Sequence, residues 1–157
     1  MAKVLVVEDN ELNLKLFCDL LMLKGHEVIV SKDGFNIVNI AIEQLPELVL
    51  MDIQLADISG LELIKILKNN PKTHKIPIIV ITAFAMKNEV MRISESGCDL
   101  YLSKPVSIDN FFFSIEISFN NVAKSKLDCI TVSILEYHFL KISNPATIIQ
   151  SKFNFNL

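Results

Sequence analysis

"LVLMDIQLADISG", residues 48–60, decides the fold. Four apolar residues run without a break into one carboxylate, Asp52, and the chain then turns through Ala56, Asp57 and Gly60. An unpaired ionised carboxylate is costly to bury. An apolar strand ending on one therefore either reaches solvent there or delivers the group to a site.

Outward from this stretch, short apolar runs alternate with helix-patterned segments. "KVLVV" (3–7) reads as the first strand. "ELNLKLFCDLLMLKG" follows from Asn10, with Leu12, Leu16 and Leu20 every four residues and Gly25 as a C-terminal stop. "EVIVS" (27–31) is the second strand, and the next helix carries Ile37, Ala41 and Leu45. The strand ending at Asp52 is the third. The helix after Gly60 stops at Asn70-Pro71. "IPIIVITA" is the fourth strand, "MKNEVMRISESG" the fourth helix, "CDLYLS" the fifth strand, and "SIDNFFFSIEISF" a fifth helix capped by Ser107.

Strict alternation of strand and helix predicts a parallel sheet with helices on both faces. The strands are near-continuous apolar runs, as strands buried on both sides should be. The expected architecture is a doubly wound α/β fold with five parallel strands in the flavodoxin-like order 2-1-3-4-5. Asn121 to Leu157 does not continue the pattern. "ITVSI" (130–134) alternates like a strand, but Leu127, Ile130 and Ile134 equally mark one side of a helix. The expected organisation is one domain over 1–120 and an extension over 121–157 too short for an output domain.

The chain has 157 residues, 51% hydrophobic and 21% charged, with net charge −3. That length suits one core. Residues 1–120 hold 11 Lys+Arg against 16 Asp+Glu, so no basic footprint for nucleic acid exists. Cys18, Cys98 and Cys129 form no CxxC pair, which argues against a disulfide framework or zinc site and for a reduced, cytoplasmic setting. His26, His74 and His138 lack partners at ligand spacing and read as surface or loop residues. "IPIIVITAFAM" has 11 residues, too few to span a membrane.

In open parallel sheets, ligands bind beyond the carboxyl ends of the strands where strand order reverses, here between the first and third. The first strand ends in Glu8-Asp9 and the third in Asp52. Two like charges about 4 Å apart repel by roughly 4 kcal/mol at an effective dielectric of 20. Such a trio takes up protons or binds a cation, and all-oxygen ligands favour Mg²⁺. Thr82 ends the fourth strand and Lys104 follows the fifth, at the same edge. A metal, an ammonium and a hydroxyl together suit a phosphoryl group, with Asp52 as nucleophile. Singly, each residue has a plainer reading, as a helix cap, first-turn acid, strand threonine or surface lysine. All five at one sheet edge make the case.

"VLVVEDNELNLKLF", "LVLMDIQLADISGLELIK", "IPIIVITAFAMK" and "CDLYLSKPVS" carry a resemblance to the receiver (CheY-like) domain of bacterial two-component response regulators, over about residues 2–120. Within that family the chain looks most like the single-domain, DivK-type cell-division regulators. The resemblance implies Asp52 as phosphoacceptor, Asp9 as a direct Mg²⁺ ligand, Glu8 acting mainly through a coordinated water, and the Gln54 backbone carbonyl completing the set. It also implies Thr82 as a hydroxyl switch, Tyr101 as an aromatic that swings inward with it, Lys104 on the phosphoryl oxygens, and a cis bond before Pro105. A sensor histidine kinase would supply the phosphoryl group. Other regulators would read the result on the face of the fourth helix, fifth strand and fifth helix. Gln54 and Phe84 would flank the site and tune dephosphorylation. The chain departs from the family at Ala56, where proline is usual.

Two rivals remain. An aspartate-nucleophile phosphatase of the haloacid-dehalogenase type usually has an acid/base Asp two positions after its nucleophile. Gln54 stands there and cannot shuttle protons. An unphosphorylated scaffold would have been favoured by loss of the acids or of Lys104, and all are present.

Overall fold

The computed structural model describes residues 1–83, 87–120 and 130–131. The elements run β1 (Lys3–Val7), α1 (Glu11–Leu23), β2 (Glu27–Ser31), α2 (Ile37–Gln44), β3 (Leu48–Asp52), α3 (Gly60–Asn69), β4 (Ile78–Thr82), α4 (Lys87–Glu95), β5 (Leu100–Ser103), α5 (Ile108–Phe119) and β6 (Ile130–Thr131). The sheet order is β2-β1-β3-β4-β5-β6, and all five pairings are parallel. The five-stranded order read from the sequence is present. β6 adds to it: the backbone of Ile130 and Thr131 pairs beside Leu100 and Tyr101, so the ambiguous "ITVSI" begins as strand.

Alternate strand residues feed two cores. Leu5, Val7, Val49, Met51, Ile78, Val80 and Tyr101 pack with Ile37, Ala41, Leu63, Ile64, Leu67 and Ile93, which come from α2, α3 and α4. Val4, Val6, Leu48, Leu50, Ile79, Ile81, Leu100 and Leu102 pack with Leu14, Phe17, Leu21, Phe111 and Ile115, from α1 and α5. Period-two side-chain direction splits each apolar strand between the layers. β3 and β4 are buried throughout, so only their ends can offer polar groups to a ligand.

The helix boundaries follow local chemistry. Asn10 Oδ1 accepts from the Leu12 and Asn13 amides at 3.1 Å each, and Ser107 Oγ accepts from the Asn110 amide, as side-chain N-caps do. Gly25 takes the left-handed backbone after α1. The face that α1 buries differs from the leucine repeat that located it. Leu14, Phe17 and Leu21 point inward, whereas Leu12 and Leu16 are 80% and 47% exposed. Phe17 stacks on Phe111 with ring centroids 5.5 Å apart, and that contact with α5 selects the inward stripe.

Candidate functional site

Three loops converge at the carboxyl end of the sheet. Glu8 and Asp9 continue from β1, Asp52 closes β3, and Lys104 follows β5 directly. Glu8 and Asp52 are 1% and 4% exposed and Thr82 is fully buried. In the ladder Asp52 lies beside Ile81, so Thr82 stands one residue further along the neighbouring strand. The Lys104 amide donates to the Thr82 carbonyl at 2.7 Å, holding the two sequence-predicted groups against each other.

Each carboxylate has its own donors. Lys104 Nζ donates to Glu8 Oε2 at 2.9 Å and to Asp52 Oδ2 at 2.5 Å. Glu8 Oε1 accepts from the Asn10 amide and from Asn13 Nδ2. Asp52 Oδ1 accepts from the Gln54 amide at 2.8 Å. Asp9 Oδ2 accepts from the Ala56 amide at 3.1 Å, across the cleft. Burial dominates Glu8 and lifts its carboxyl above the ordinary range; the Lys104 hydrogen bond opposes this and the Asp52 charge adds to it. Burial also works against the Lys104 charge, but the hydrogen bonds to Asp52 and Glu8 outweigh it and hold the ammonium above its ordinary value.

The loop after β3 is built to aim its amides. Gln54 and Ser59 bridge in antiparallel fashion, and the Gly60 amide donates to the Ile53 carbonyl. A Cβ on Gly60 would lie 2.4 Å from the Asp52 carbonyl oxygen and 2.6 Å from Ile53 Cα. Only glycine lets α3 start this close to the end of β3.

One carboxylate oxygen from each of Glu8, Asp9 and Asp52 lies within 4.8 Å of the others. Three acidic oxygens around one lysine leave two negative charges in excess, and hard oxygen donors without nitrogen or sulfur suit Mg²⁺. The donor set therefore fits a magnesium ion. Tyr101 is buried in the α2–α4 core, and the Lys104-Pro105 bond is cis. Phe84 lies outside the described residues. His26 and His74 are loop residues, His26 accepting from the Ala2 amide and His74 contacting the Pro71 carbonyl; His138 lies outside the described residues. Sequence reasoning missed the Ala56 amide, because a backbone donor has no signature in residue type.

This fold and site define a class: residues 4–116 match the response regulator receiver domain, and the chain belongs to that family. It is a signalling receiver rather than an enzyme of the ordinary kind. Among particular relatives, the polar-differentiation response regulator DivK of Brucella anthropi is 48% identical over 113 residues, 72% of this chain and 92% of that protein. DivK of Brucella abortus (strain 2308) matches to the same extent. The receiver domain of a Pseudomonas aeruginosa sensor histidine kinase, solved with a magnesium ion coordinated in its active-site cleft, superposes with a TM-score of 0.71. It is 25% identical, over 76% of this chain and 98% of that one. CheY4 of Vibrio cholerae shares the fold, with a TM-score of 0.70 and 21% identity over 75% of this chain and 98% of its own. No helix among the described residues is long and apolar enough to cross a membrane.

Proposed function

We propose that the chain is a single-domain response regulator in a two-component phosphorelay, switched by phosphorylation of Asp52. The observation that carries the reading is the charge imbalance around Asp52: a carboxylate 4% exposed, sharing one ammonium with Glu8 and standing beside Asp9. Asp52 attacks the phosphorus of a phosphohistidine on a sensor histidine kinase. A P–N bond breaks, an O–P bond forms, and the kinase recovers its imidazole. Glu8, Asp9, Asp52 and the Gln54 backbone carbonyl would hold Mg²⁺, which when bound offsets negative charge on the phosphoryl oxygens.

Lys104 then exchanges part of its contact with Asp52 Oδ2 for a phosphoryl oxygen. The Thr82 hydroxyl moves to another, and Tyr101 repacks with it. The altered face spans α4, β5 and α5, where Met91 and Ile108 are exposed. Residues 1–120 form the receiver, and the message passes from it by protein contact in the cytoplasm. Exposed Leu12, Leu16 and Leu23 on α1 offer a second apolar face, beside Asp9, for the phosphodonor protein. The chain's own chemistry is limited to self-phosphorylation from phosphodonors and autodephosphorylation. The DivK relatives support a role in cell-division or polarity control.

The test is intact mass after incubation with a small phosphodonor, with and without Mg²⁺. A Mg²⁺-dependent gain of one phosphoryl group is expected, absent in Asp52→Asn. No adduct under any condition would replace this reading with an unphosphorylated scaffold that uses the same surfaces.

A further inference from the structure

The cleft carboxylates are fixed unequally. Glu8 and Asp52 are each tied to Lys104 and to an amide of their own segment. Asp9 instead receives its hydrogen bond from a loop 47 residues away in sequence, through the Ala56 amide. That loop is anchored on both sides of the donor: Leu55 is buried and Ile58 half-buried against the α2–α4 core. Gln54, one step before Leu55, turns its amide to Asp52. Two amides of one loop thus address two of the three cleft carboxylates.

We propose that the Ala56 amide is a positioning group for the cation site. By holding Asp9 Oδ2 it keeps the half-buried Asp9 carboxylate within 4.8 Å of Glu8 and Asp52 oxygens, so that cation binding need not first restrict a mobile side chain. The hydrogen bond uses one Asp9 oxygen and leaves the second with its lone pairs. The side chain of residue 56 is exposed and takes no part; the backbone N–H does the positioning. This deepens the phosphorylation reading and rests on its magnesium component.

The experiment is a calorimetric Mg²⁺ titration of the full chain, alongside thermal melts without metal. Ala56→Pro installs the residue usual in the family and deletes the N–H on which this chain's Asp9 contact depends, whereas Ala56→Ser keeps it. Ala56→Pro is expected to weaken Mg²⁺ binding by roughly three- to tenfold, the equilibrium effect of one ordinary intramolecular hydrogen bond. Ala56→Ser is expected to stay within about twofold of wild type, since its N–H is intact. A merely structural role for residue 56 would shift the melt and leave the Mg²⁺ affinity alone. Equal or tighter Mg²⁺ binding by Ala56→Pro overturns the proposal. If that variant does not fold, the wild-type Ala56 amide decides. It should remain protected from exchange in Mg²⁺-free protein, and free exchange there overturns the proposal as well. Failure of wild type to bind Mg²⁺ at millimolar concentration would instead overturn the magnesium reading beneath it.

Discussion

Both ends of the sheet carry charge partly or wholly withdrawn from solvent, arranged in opposite ways. At the amino end, Lys68 Nζ meets Asp99 Oδ2 at 2.7 Å and also donates to the Ile76 carbonyl, while Asp99 accepts from the Ile78 amide. One cation answers one anion, and backbone groups take up the remaining hydrogen bonds. At the carboxyl end, one cation stands among three carboxylates. Balanced and satisfied, this half-buried pair is structural support for the α3–β4 and α4–β5 connections. Left with excess negative charge, a cluster has binding energy available for a cation. The reactive end differs from the structural one in net charge, and its Glu8 and Asp52 are also the more deeply buried.

The sharpest way to break this comparison is Lys104→Met. It leaves Glu8 and Asp52 desolvated with no cation, and breaking a buried pair from one side costs about 3 kcal/mol. Chemical denaturation in chelator should register that loss, and millimolar Mg²⁺ should recover a large part of it. A loss that magnesium cannot relieve would mean the cleft is structural after all.

Lys68→Met is the matched test at the other end. Asp99 keeps its amide donor from Ile78, so the expected loss is smaller, about 1–2 kcal/mol. Added Mg²⁺ should leave it unchanged, and rescue here would erase the distinction between the two ends.

The smallest effect concerns His26, also at the amino end. Burial, then the neighbouring N-terminal ammonium, lowers its pKa from the ordinary 6.5. The unfolded chain therefore binds the proton more readily. His26 costs nothing above its unfolded pKa, and stability falls as pH drops through that value toward the lower folded one. His26→Gln should flatten a modest part of the melting-temperature decline below neutrality. An unaltered pH profile would exclude that contribution.

Much of this was legible in the residues. The strands could be read because burial on both faces demands continuous apolar runs, and the site could be read because strand ends in a parallel sheet share one edge. The buried face of α1 could not. "ELNLKLFCDLLML" carries two apolar stripes, and the choice between them rests on Phe111, almost a hundred residues away. Leu45 likewise keeps the spacing of α2 but is exposed and turns left-handed at its end. Which donor serves Asp9 was hidden for another reason: every residue except proline brings the same N–H.

The order of the sheet has a consequence for solubility. β6 lies outside β5, while β2 ends the sheet on the other side and presents backbone groups that a foreign strand could copy. Among the described strands β2 is therefore one edge at which fibre growth by edge-to-edge addition has to be resisted. That strand is only five residues long, begins with Glu27 and is followed by Lys32, and short strands flanked by charge are poor templates for such growth.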